Sequence, residues 1–129
     1  MSNGSQSGRI GWVDLTVADG QGVADFYRDV VGWKTDPVSM GDYDDFCMVP
    51  QTGGDAVCGV CHARGTNSDI PPVWMLYFVV DDVEASAKIV TERGGKLRRE
   101  IRPLAGGRFC VIEDPAGAVC ALYQAPANS

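Results

Sequence analysis

Cys58-Gly59-Val60-Cys61-His62 is the densest cluster of reactive side chains in the chain, and its spacing is that of a c-type haem attachment site. There, two thiols form thioethers and the imidazole ligates iron. The residues around it are strand-like, however, and the corresponding stretch of an internal repeat, Ala118 to Gln124, has no haem chemistry. Haem is therefore not expected, and redox or zinc use of the two thiols lacks further ligands. His62 is the only histidine. An imidazole suits acid–base work near neutral pH, so His62 is a candidate catalytic base, set against a structural role at a strand end. Asp14 interrupts an otherwise apolar segment. A carboxylate in such a setting needs a hydrogen bond, a counter-ion or a ligand, which makes Asp14 the second catalytic candidate and a ligand-binding candidate. Trp12 shares its face by strand alternation. Tyr77 falls at the repeat position of Asp14, and Met75 at that of Trp12. Trp12, Asp14, Met75, Tyr77 and Arg108, which could read an anion, form the expected ligand-binding set. Asp42, Asp44 and Asp45 lack the glycine and distal glutamate of a calcium loop and are read as a solvated loop.

The repeat is carried by residue identities. At an offset of 63 positions Val17 falls on Val80, Asp19 on Asp82, Ala24 on Ala87, Gly32 on Gly95 and Phe46 on Phe109. One residue is then lost between two glycine-bearing turns, and Ala56-Val57-Cys58 falls on Ala118-Val119-Cys120. Both halves open with an extended segment, Ile10 to Val17 and Trp74 to Val80. Each then has a capping aspartate, Asp19 or Asp82, before a helical apolar stripe that ends at glycine, Gly32 or Gly94-Gly95. Three strand candidates follow each helix: Trp33 to Ser39, Asp45 to Val49 and Ala56 to Cys61, then Lys96 to Arg102, Arg108 to Glu113 and Ala118 to Gln124. The expected class is α+β, two βαβββ modules pairing into one curved mixed sheet around a central cleft. A disordered tail is expected over 1–9 and a single domain over 10–125, with module one at 10–62, a linker at 63–72 and module two at 73–125.

A chain of 129 residues, 45% hydrophobic, suits one domain. Its net charge of -6 argues against a nucleic-acid partner. No run of apolar residues is long enough to span a membrane. The start shows no basic region followed by an apolar stretch, so a cytoplasmic protein with reduced cysteines is expected. Exposed sheet edges suggest a homodimer.

Two segments carry a family resemblance. Val17-Ala18-Asp19 followed by Phe26-Tyr27-Arg28-Asp29-Val30-Val31-Gly32-Trp33, and the hairpin Arg108-Phe109-Cys110-Val111-Ile112-Glu113-Asp114-Pro115-Ala116-Gly117, resemble the glyoxalase/bleomycin-resistance/dioxygenase (vicinal oxygen chelate) superfamily. Gly11-Trp12-Val13-Asp14-Leu15-Thr16-Val17 and Cys61-His62-Ala63-Arg64-Gly65 resemble a bacterial subgroup of it. The resemblance implies the glyoxalase-like fold and, in metal-dependent members, a divalent cation held by His, Gln or Glu on the first and last strands of each module. Here those positions fall at Trp12, Gly59, Met75 and Ala121, so no metal ligand is expected. The resulting expectation is a small-molecule ligand bound in the inter-module cleft without that cation. The alternatives are a lyase, isomerase or dioxygenase using Asp14 or His62 as base or holding an atypical metal, and an interaction module with a closed cleft.

Overall fold

A computed structural model describes residues 7–126. Of the expected tail, residues 1–6 lie outside the described residues. Gly8 and Arg9 bond to the backbone of Val79, so they are held against a strand.

The elements run β1 (Ile10–Val17), α1 (Gly20–Val31), β2 (Lys34–Ser39), β3 (Asp44–Val49), β4 (Cys58–His62), β5 (Trp74–Val79), α2 (Val83–Glu92), β6 (Lys96–Leu97), β7 (Arg102–Leu104), β8 (Gly107–Glu113) and β9 (Val119–Gln124), with a short 3-10 turn at Gly65–Asn67. Contacts group them into two compact units: Val13–Trp74, and the chain from Met75 onward together with the start of β1 up to Trp12.

In the first unit the strand order is β2-β3-β4-β1. Its outer pairs are antiparallel, and β1 runs parallel to β4 with Asp14 opposite Gly59 and Thr16 opposite Cys61. Helix α1 forms because Val23, Ala24 and Tyr27 recur at helical spacing. Gly32 stops it with φ 87°, a left-handed conformation that favours glycine. Ala24 is buried against Phe46, Met48, Cys58 and Val60, with Val13, Val17 and Trp33 at the margin. Strand alternation therefore turns Asp14, Cys47, Gly59 and Cys61 to the face away from α1.

The second unit repeats this order of elements, with β5 parallel to β9, β9 antiparallel to β8, and both β6 and β7 on the far side of β8. Val83 and Ala87 of α2 pack on Cys110, Ile112 and Leu122 of the sheet, with Phe78 and Ile101 partly buried beside them. The opposite face carries Met75, Tyr77, Phe109, Val111 and Ala121, all buried.

One expectation needs correction. Lys96 to Arg102 is not one strand. Leu97 pairs with Ile112 and Arg102 with Phe109, so residues 98–101 lie across from only Cys110 and Val111, a two-residue bulge. The matching strand of the first unit pairs without interruption from Lys34↔Val49 to Ser39↔Asp44. In an unbroken strand Arg99 would share the face of Leu97 and Ile101 and enter the apolar core under α2, where a charge is costly. The bulge turns it out of that core.

Candidate functional site

His62 and Gln124 end β4 and β9, and each is tied to the first turn of its unit's helix. The Gly20 N–H donates to His62 Nδ1 at 3.2 Å, and the Val83 N–H donates to Gln124 Oε1 at 2.9 Å. Further N–H groups at these termini are taken by the capping aspartates. Asp19 accepts from Gly22 at 2.9 Å, and Asp82 from Glu84 at 3.1 Å and Ala85 at 3.2 Å. The imidazole sits directly on Gly20, where an added Cβ would come within 2.9 Å of the ring. Its other neighbours are the Tyr43 ring, edge-on at 5.3 Å, and Asp45, which accepts the His62 backbone N–H at 2.8 Å. Arg64 lies over the Tyr43 ring, 4.2 Å from its centroid. The sequence-chosen base thus carries a helix start, in the role Gln124 performs in the other half.

Asp14 is half-buried, on the face of β1 away from α1. It is close enough to two thiols to act on both. Cys58 is pushed up to about 11, first by burial and then by the Asp14 carboxylate and Cys47. Cys61 is raised further, first by burial and then by Asp14 and Asp45, and its thiol is hydrogen-bonded to Asp45. Burial first, and the neighbouring carboxylates second, disfavour the thiolate form of both. Three residues apart on one strand, Cys58 and Cys61 point to opposite faces: Cys58 into the α1 core, Cys61 toward Asp45. A haem that needs both thiols on one side does not fit.

Met75 and Tyr77 are buried on the face of β5 away from α2, and Tyr77 meets Phe109 with ring centroids 6.0 Å apart. Trp12, half-buried, occupies the same face of β1 as Asp14 by alternation. Arg108 stands on the opposite face of its sheet from Met75 and Tyr77. It alternates with Phe109, lies on the α2 side, and donates to Glu84 at 2.7 Å and Gln124 at 3.4 Å. Its guanidinium closes the α2 start. The cation on the Tyr77 face is Arg99, 8% exposed, with its guanidinium 5.7 Å from the Phe109 ring centroid. Arg99 was not among the residues singled out from the sequence, and regular strand alternation would turn it toward α2. The 96–107 segment has the same length as its repeat counterpart, 33–44, so the repeat gave no signal for it.

The residues at the metal positions of the superfamily do not fit a divalent cation. Gly59 has no side chain, Met75 and Ala121 offer a thioether and a methyl group, fully buried, and Trp12 offers an indole. Among the described residues, no three His, Cys, Asp or Glu side chains gather around a point where a metal ion could sit. Nor, among them, is any helix long and apolar enough to cross a membrane.

Comparison with known proteins agrees with this architecture. The family model described as Glyoxalase/Bleomycin resistance protein/Dioxygenase superfamily matches residues 9–122. The chain is 30% identical over 122 residues to "Putative glyoxylase CFP32" of Mycobacterium tuberculosis, covering 93% of this chain and 47% of that protein. It is 32% identical over 133 residues to "Anthracycline biosynthesis protein DnrV" of Streptomyces peucetius, covering 91% and 47%. The chain thus spans about half the length of the curated relatives it matches. Among solved structures, methylmalonyl-CoA epimerase from Mycobacterium tuberculosis superposes with a TM-score of 0.57 at 18% identity, over 99% of this chain and 94% of that one. The Streptomyces coelicolor methylmalonyl-CoA epimerase in complex with 2-nitronate-propionyl-CoA gives 0.55 at 18% identity, over 92% and 98%. These structures share the fold: α+β, with mixed strand pairing and one helix per half. With the family model covering nearly the whole chain, the protein belongs to the Glyoxalase/Bleomycin resistance protein/Dioxygenase superfamily.

Proposed function

We propose that this protein binds a small organic molecule and does so without the divalent cation used by the metal-dependent members of its superfamily. The observation that carries the reading is the donor set at Trp12, Gly59, Met75 and Ala121, which has neither oxygen nor imidazole to offer. What the first strand does offer is the half-buried indole of Trp12 with the half-buried Asp14 carboxylate on the same face of β1, contact for a flat, largely apolar molecule with one polar point. The name of DnrV, an anthracycline biosynthesis protein, fits a polycyclic aromatic ligand of this kind. An anthracycline is therefore the first probe.

The test is calorimetric titration with an anthracycline, using protein purified without chelator and analysed for metals. One-to-one binding that survives EDTA, and that weakens about tenfold in Trp12→Ala, is the expected outcome. Stoichiometric bound metal with binding abolished by EDTA would overturn the reading. The competing reading is an enzyme with Asp14 as its base, His62 being engaged by Gly20. Turnover of the bound molecule that is lost in Asp14→Asn, with binding intact, would favour it.

A further inference from the structure

We propose that the second unit binds one uncharged, single-ring aromatic molecule of the phenol class in a cavity between α2 and the sheet. The inference goes beyond the reading above and does not rest on it, since this cavity lies on the α2 face, away from Met75 and Tyr77. The cavity measures about 270 Å³, and its walls are Val80, Val90, Ile112 and Leu122. An apolar cavity of about 150 Å³ already holds benzene, so one substituted ring has room here. The other half of the chain shows what belongs in such a space. In the first unit Val23 and Tyr27 pack from α1 onto the core, and Trp33 meets the Tyr27 ring with centroids 6.4 Å apart. At the repeat offset of 63 these three positions hold Ser86, Val90 and Lys96. Ser86 and Val90 both line the cavity, so it opens where the second unit lacks the phenol ring that the first unit supplies from its own helix.

The mouth sets the charge of the ligand. Arg93, Glu113 and Asp114 stand around it. Glu113 is held by Arg98 at 2.8 Å, and Asp114 accepts the N–H groups of Ala116 at 2.8 Å and Ala118 at 3.0 Å. Two arginines thus balance two carboxylates, and the mouth presents no net charge to draw an ion of either sign. A charged molecule would give up water on entry without a matching counter-charge. A phenol instead lays its ring against the aliphatic walls and keeps its hydroxyl at the rim, within the chemistry of the Ser86 hydroxyl and the Arg93 guanidinium.

The test titrates para-cresol, the tyrosine side chain without its backbone, into the full chain and follows assigned NMR signals. Saturable shifts at the methyl groups of Val80, Val90, Ile112 and Leu122, with a dissociation constant below about 1 mM, are the expected result. Val90→Tyr restores the residue of the first unit and should weaken para-cresol at least about tenfold in a folded chain. Para-toluate, the same ring bearing a carboxylate, should bind the wild type at least about tenfold more weakly than para-cresol. Equal or tighter binding of para-toluate overturns the proposal, and so does the absence of any shift. Shifts gathered at Trp12 and Asp14 and unchanged in Val90→Tyr overturn it while leaving the ligand reading above standing. A wild-type dimer that Val90→Tyr dissociates would make the occupant a side chain of a second copy, which overturns it too. If Val90→Tyr does not fold, the place of the shifts in the wild type decides.

Discussion

Replacing His62 separates a helix-anchoring residue from an acid–base catalyst. In His62→Ala the Gly20 N–H, which is buried, loses its acceptor, and the ring packed onto Gly20 leaves. An unmade hydrogen bond at such a group costs about 1 kcal/mol, and the lost apolar contact of a half-buried ring about another 1. The total of about 2 kcal/mol corresponds to a fall of roughly 6–10 °C in melting temperature for a domain of this size. His62→Gln should behave differently. Gln124 already serves the Val83 N–H at 2.9 Å from the equivalent strand end, so a glutamine amide oxygen has the reach to serve Gly20. The expected loss is below about 1 kcal/mol. Thermal melts read by circular dichroism, with urea titrations to obtain free energies, measure both variants. If His62→Ala melts with the wild type, or if His62→Gln is as damaged as His62→Ala, then the imidazole does not hold the helix start. If His62→Gln retains its stability and loses a measured turnover, His62 is an acid–base group as well.

Two further outcomes follow from the packing and the thiols. Gly95→Ala should cost about 2 kcal/mol, because the new Cβ would lie 2.6 Å from the Glu113 carbonyl oxygen and 2.9 Å from Val90, and backbone cannot yield as a side-chain tip can; a melt within 2 °C of wild type contradicts this. Cys58 and Cys110, both pushed up to about 11 by burial first, should resist iodoacetamide at pH 8, where roughly one thiol in a thousand is ionised, while all five cysteines react in denaturant. Their raised values also set a sign for stability. The folded form holds these protons more tightly than the unfolded chain, so the contribution is whole below the ordinary thiol value of 9.0 and is lost as pH climbs toward 11. A melting temperature that does not fall over that interval in wild type relative to a Cys58→Ala, Cys110→Ala variant would refute it.

Local signals made much of the architecture readable, and their limits mark where the site escaped. Asp19 and Asp82 cap the helices as their positions before the apolar stripes require, because a cap is decided by the few residues around it. Ile10–Val17 and Trp74–Val79 form strands because β-branched and aromatic residues alternate there. His62 and Arg108 were chosen for what their side chains can do, and what they do in the fold depends on partners far along the chain, Gly20 at a separation of 42 and Glu84 at 24. No local pattern encodes such a partner. Arg99 is the converse case. Periodicity sends it under α2, and the competition between strand regularity and the cost of a charge in an apolar core is resolved by distorting the backbone. The repeat contained no clue, since the offset of 63 holds on both sides of the segment, from Gly32 on Gly95 to Phe46 on Phe109. When one copy of a duplicated module bulges where the other, over the same length, runs as an even strand, the first residue to ask about is the one that regular alternation would have buried under the helix.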